Sequence, residues 1–138
     1  MYIPVTAAAV GFFGLLHAGL TLPVAMGRLF MDVHYGLPTD ASKSKDFEHK
    51  VRAQVNNSEH APIGLLILAA LEANKVMDKD KLVVAAAVFA VARTMHSVQL
   101  ALPGKVNVMF RKVGFTAMIT WIAGLGGFLM VKGLRAAK

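Results

Sequence analysis

The chain contains no cysteine. A disulfide scaffold, a thiolate metal centre and a cysteine nucleophile are therefore excluded. Acidic residues are few and confined: none lies before Asp32 and none follows Asp80. Charge of either sign is missing from residues 1–27 and again from residues 113–131. Of 138 residues, 17% are charged and 56% are hydrophobic. A soluble domain carries about 25% charged and about 45–50% apolar residues. This balance excludes a disordered or fibrous chain, and the length excludes two ordinary domains. A small domain with an oversized core, or a multi-pass membrane protein, remains.

The uncharged stretches decide for the membrane. About 20 apolar residues, each rising about 1.5 Å, cross about 30 Å of hydrocarbon. Residues 1–27 and 113–131 both reach that length. Residues 82–102 form a third apolar run, broken by Arg93 and His96, and residues 61–74 a shorter fourth. The expectation is an all-α membrane protein, an antiparallel four-helix transmembrane bundle forming one domain over residues 1–138. Its helices are expected near 3–34, 47–76, 79–101 and 106–134. Only residues 35–46, with Gly36 and Pro38, read as a loop of any length. The Asp/Lys link at 76–81 and the Pro-Gly turn at 102–106 are short enough to set neighbouring helices antiparallel. A cleaved signal peptide is disfavoured, because no basic region precedes the apolar run and the run is too long. Gly11, Gly14 and Gly19, then Gly124, Gly126 and Gly127, offer small faces for helix association.

The net charge is +7. No basic patch interleaves with aromatics, so nucleic acid is not the expected partner. The basic residues flank apolar spans, where anionic headgroups meet them. They are in slight excess on the side of residues 43–52 and 105–112, which puts the N-terminus outside.

Ionisable groups within spans are costly and therefore informative. Positions i, i+4 and i+7 share a helix face. Arg52, Asn56 and Glu59 have that spacing, and Glu48 lies one turn before Arg52. Arg93, His96, Ser97 and Leu100 repeat the geometry on the third helix. Arg111 and Lys112 open the fourth helix, and Arg28 closes the first. Guanidinium groups pair with carboxylate or phosphate, and Glu59 complements an ammonium group. The stripes therefore suit a zwitterion with excess negative charge. A purely structural alternative has Arg52, Glu59 and Arg93 neutralising one another, with His96 merely packed and hydrogen-bonded. Glu59 and His60 are adjacent and face different ways, so no metal site is expected.

The run from Glu48 through Arg52-Ala53 and Asn56 to Glu59 resembles the signature E-x-x-x-R-A-x-x-N-x-x-E. That signature belongs to the MAPEG family, the membrane-associated proteins in eicosanoid and glutathione metabolism. Arg93-Thr94-Met95-His96-Ser97 is similar to the family's R-x-x-H-[ST], and Arg111-Lys112-Val113-Gly114 to the R-x-x-G that opens its fourth helix. The resemblance implies a homotrimer embedded in the bilayer. It implies glutathione as co-substrate, held between protomers near the cytosolic face, with no metal. By the same resemblance, Arg28, Arg52, Gln54, Asn56, Glu59, His60, Arg93, His96 and Ser97 bind glutathione, and Arg111 activates its thiol. The implied activity is a glutathione transferase, with peroxidase activity, acting on an apolar electrophile or a lipid hydroperoxide. One departure stands out: Leu100 occupies a position where many members carry tyrosine. A non-catalytic lipid-binding or scaffold member is the alternative. A small multidrug exporter is disfavoured, since the first helix has no carboxylate before Asp32.

Overall fold

The computed structural model describes residues 2–137. They form four α-helices: α1 (Pro4–Met31), α2 (Ala41–Ala73), α3 (Lys79–Ala101) and α4 (Val108–Ala136). Helices α1, α3 and α4 are long and apolar enough to cross a bilayer. The chain is thus built as an integral membrane protein. Four such spans were expected, and α2 does not qualify. It has 33 residues, but charged and amide side chains fill its first half, and its apolar run begins only at Ala61.

Helix α2 also begins at Ala41 rather than near residue 47, so the loop before it is shorter than expected. The reason is local. Asp40 is the N-cap: its Oδ1 accepts from the Ser42 amide at 2.9 Å and from the Ser42 hydroxyl at 2.6 Å. Such a cap satisfies a first-turn amide that has no partner within the helix. The Ser42 hydroxyl and amide together hold the Asp40 carboxyl below its ordinary range. The added turns then dock on α1. Phe47 is buried against Gly27, where a Cβ would fall 2.7 Å from Phe47 Cε2. The Arg28 guanidinium stands 5.5 Å over the same ring.

The core is aromatic at its centre. Phe13 of α1 lies 5.1 Å from Phe89 of α3, and Phe89 stacks at 4.6 Å on Trp121 of α4. Trp121 Nε1 donates to the Ala85 carbonyl at 2.8 Å, so the one polar atom of the ring is satisfied. Leu68 and Leu71 complete the cluster from α2. Of the glycines expected to face a neighbour, Gly126 does so within the chain, its Cβ position 3.6 Å from Ile67 Cδ1, and the tightest approaches occur at other glycines. A Cβ on Gly11, Gly14, Gly19, Gly124 or Gly127 would meet nothing within 4 Å. On Gly64 it would fall 2.1 Å from Phe89 Cζ, and on Gly114 2.6 Å from the Ala92 carbonyl oxygen. Sequence composition marks small faces, but only packing says which of them a neighbour uses.

Glu72, near the end of α2, closes the bundle at its other end. Its two carboxylate oxygens accept from the amides of Val5 at 3.0 Å and Thr6 at 2.7 Å. Ile3 at the N-cap position offers no side-chain acceptor of its own. A distant carboxylate therefore does the capping, helped by the positive end of the α1 dipole. Replacing Glu72 with alanine should cost about 0.5–2 kcal/mol, the usual range for a lost cap. Denaturation of the detergent-solubilised protein reads this directly, and an unchanged midpoint contradicts the capping role.

Candidate functional site

A cleft of about 590 Å³ opens where α2, α3 and the start of α4 meet. Val51, Arg52, Val55, Asn56 and Glu59 line it from α2, His96 and Leu100 from α3, and Arg111 from α4. The α2 set follows from helix geometry, since i, i+4 and i+7 share a face. His96 and Leu100 are likewise one turn apart. Arg111 reaches the cleft because α4 approaches α3 closely. At Gly114 the two backbones leave no room for a side chain: an added Cβ would lie 2.8 Å from His96 N. His96 Nδ1 is 3.2 Å from the Arg111 carbonyl oxygen, which ties the opening turn of α4 to the C-terminal part of α3.

The charged lining is not self-neutralised. Arg52 Nε and Nη2 both reach Glu48 Oε1, at 2.8 and 2.6 Å. That pair is exposed, so it contributes little to stability, but it fixes the arm of Arg52 along the helix. Glu59 is exposed on the cleft and forms no ion pair among the described residues. Arg93 is wholly buried. Its Nη1 donates to Asn56 Oδ1 at 3.0 Å and to Met118 Sδ at 2.9 Å. Its Nη2 donates to the Asn56 carbonyl at 3.1 Å and to Asn57 Oδ1 at 3.3 Å. The mutual neutralisation of Arg52, Glu59 and Arg93 is thus not formed. Arg52 turns to Glu48 and Arg93 to amides.

Of the ten residues singled out from sequence, Arg52, Asn56, Glu59, His96 and Arg111 converge on the cleft. The others lie outside its lining. Gln54 is half-buried on another face of α2. His60 Nδ1 contacts the Asn56 carbonyl at 3.0 Å. Ser97 is buried, and its hydroxyl has no protein partner among the described residues. Arg93 stands behind Asn56 in the core. Arg28 donates to the carbonyls of Val33 at 3.3 Å and His34 at 3.1 Å, closing the turn after α1. Residues not anticipated are Val51 and Val55, which line the cleft, and Met118, which receives Arg93. The two valines flank the polar stripe at helical spacing, so that signal was present. Nothing in the sequence marks Met118 as a partner for arginine.

The model of the MAPEG family matches residues 6–131 of the chain, a stretch that includes every residue lining the cleft. No individual curated protein matches it. The match extends over nearly the whole helical bundle and agrees with its apolar spans. The chain therefore belongs to the MAPEG family, membrane proteins of eicosanoid and glutathione metabolism.

Proposed function

We propose that the protein is a membrane-embedded glutathione transferase with peroxidase activity. The observation that carries this reading is the convergence of Arg52, Asn56, Glu59 and Arg111 on one cleft. Residues 52 and 111 are remote in sequence, yet both arginines line the same space. The cleft volume of about 590 Å³ falls among small-ligand sites, which span about 300–1,000 Å³. Glutathione carries two carboxylates, one ammonium and one thiol. In this reading Arg52 and Asn56 take a carboxylate, Glu59 takes the ammonium, and Arg111 faces the sulfur. A guanidinium beside a thiol favours the thiolate, the nucleophilic form. The thiolate adds to an apolar electrophile arriving from the bilayer and displaces its leaving group. With a lipid hydroperoxide it attacks the terminal oxygen, and the O–O bond breaks. The lipid leaves as its alcohol after taking a proton, and a second glutathione converts the resulting sulfenic acid to the disulfide and water. No cysteine of the protein is needed, since the reacting sulfur is the ligand's.

The proposal extends to assembly. The four helices form one antiparallel domain, and three copies associate as a homotrimer with the cleft near the cytosolic face and the N-terminus outside. Gln54, His60, Ser97 and Arg28, which do not line the cleft within one chain, contact glutathione through a neighbouring protomer or act by supporting α2 and α3. Equilibrium binding of glutathione to the detergent-solubilised protein tests the reading. Arg52→Ala should weaken binding about fivefold, a modest loss because the side chain is solvent-screened. No binding at millimolar glutathione would rule the reading out.

One observation favours the non-catalytic alternative. Leu100 lines the cleft with an isobutyl group, where a tyrosine would supply a phenolic hydrogen bond. A lipid-binding or scaffold role would tolerate that change. Conjugation of a chlorinated nitrobenzene separates the two. A rate no higher than in buffer, together with fatty-acid binding, selects the alternative.

A further inference from the structure

We propose that Arg93 is a positioning residue that fixes the polarity of the Asn56 carboxamide, so that Asn56 presents its Nδ2 donor to the cleft. The inference rests on the glutathione reading above but names a different residue and a different property, the site's preference for a carboxylate over an ester or amide.

Arg93 is fully buried, and no carboxylate lies within 4 Å of its guanidinium among the described residues. A guanidinium has five donors and no acceptor. A carboxamide beside it must therefore turn its oxygen inward. A reversed amide would aim N–H groups at N–H groups in a dry environment, which leaves buried donors without partners. The contact of Arg93 Nη1 with Asn56 Oδ1 at 3.0 Å is this arrangement. The grip is doubled, because Nη2 holds the carbonyl of the same residue at 3.1 Å. Asn57 Oδ1, also turned toward Nη2 at 3.3 Å, keeps the fork centred on the helix. Side chain and backbone of Asn56 are thus held from behind by one rigid plane.

The consequence lies on the opposite side. Asn56 lines the cleft, and its Nδ2 donates to no protein atom among the described residues. Arg52, one turn earlier on the same face, also only donates. Two adjacent groups that can only donate form a subsite matched to an acceptor-only group. A carboxylate is such a group. An amide brings donors of its own, and an ester lacks the charge. An unrestrained asparagine would rotate to suit any of them, so the selectivity resides in Arg93 as much as in Asn56.

Asn56→Asp and Arg93→Lys test the proposal. Aspartate gives Arg93 a full counter-charge, so the fold is kept, while the cleft receives an acceptor in place of a donor. Lysine cannot hold the side chain and carbonyl of Asn56 together. Dissociation constants are measured for glutathione and glutathione diethyl ester. The parent should prefer the free acid by about tenfold, in line with hydrogen bonds to charged groups. In both variants that ratio should fall to about twofold or less. General damage weakens both ligands alike and leaves the ratio where it was. A parent-like ratio in Asn56→Asp overturns the proposal. Thermal unfolding gives a reading that needs no ligand: Asn56→Asp should melt at or above the parent, and Asn56→Ala below it. If Asn56→Asp melts below the parent, the Arg93 contact is not as described and the proposal fails. If the parent binds neither thiol while the melting order holds, the glutathione reading fails and the positioning of Asn56 stands.

Discussion

Arg111→Ala should lower turnover about threefold at pH 7, measured at saturating glutathione with an apolar electrophile. A free thiol has a pKa near 8.5, so roughly 3% is thiolate at pH 7. A neighbouring guanidinium lowers such a pKa by about 1–3 units. A shift of about 2 units would raise the thiolate fraction to roughly three quarters. Losing the guanidinium removes about 25-fold of that population. About six- to tenfold is returned, because a more basic thiolate is intrinsically more nucleophilic. The pH dependence carries the diagnostic sign. The ligand's pKa is depressed in the parent, so its advantage exists below the free thiol's pKa and disappears above it. The two rates should meet at about pH 7.5–8, above which the variant's more basic thiolate reacts faster. Affinity should fall by only about fourfold at pH 7, the share linked to the same pKa shift, because Arg52 and Asn56 still hold the carboxylate. Equal turnover of variant and parent at pH 7 would remove Arg111 from the mechanism.

Gly114→Ala should be among the most damaging single methyl groups in the described residues. Its Cβ would lie 2.6 Å from the Ala92 carbonyl oxygen and 2.8 Å from the His96 amide nitrogen. Both are main-chain atoms inside α3, so no rotamer change relieves the clash. Overpacking typically costs about 1–3 kcal/mol, and rigid surroundings put this site at the upper end. Separation of α3 from α4 also stretches the 3.2 Å contact between His96 Nδ1 and the Arg111 carbonyl. Turnover should fall with stability even though no charge is removed. Gly133→Ala is the matched control on the same helix, with nothing within 4 Å of the added carbon. It should be neutral, or stabilising by up to about 1 kcal/mol through helix propensity. Denaturation midpoints of the two variants decide the matter, and equal midpoints would contradict the close α3–α4 packing.

These residues also show what the sequence can and cannot convey. Helices α1, α3 and α4 are legible because hydrocarbon demands long apolar runs and the chain supplies them. The start of α2 is not, because Asp40 and Ser42 are ordinary loop residues until their hydrogen bond makes them a cap. The Arg52, Asn56 and Glu59 face follows from spacing alone, and the cleft gathers it. Arg93 has the same spacing relationship to His96 that Arg52 has to Asn56, within one residue. Yet one arginine lies at the cleft and the other in the core. Helical period sets the face of a residue relative to its own axis, not which neighbour that face meets. Gly114 differs from Gly124 only in what stands opposite, which no window along α4 contains.

The carboxylate of Glu72 has a bearing on biogenesis. The amide it holds most tightly, that of Thr6, is 66 residues upstream. At a synthesis rate of about 5–20 residues per second, that separation takes roughly 3–13 s to translate. Throughout that interval the first turn of α1 has left the ribosome without its acceptor. The nascent helix must keep those amides in contact with water or with the insertion machinery until α2 is complete. The pair α1–α2, rather than α1 alone, is then the smallest unit with its backbone satisfied in the membrane. Ribosome-stalled intermediates shorter than about 72 residues plus the length of the exit tunnel should leave the start of α1 accessible to the aqueous phase.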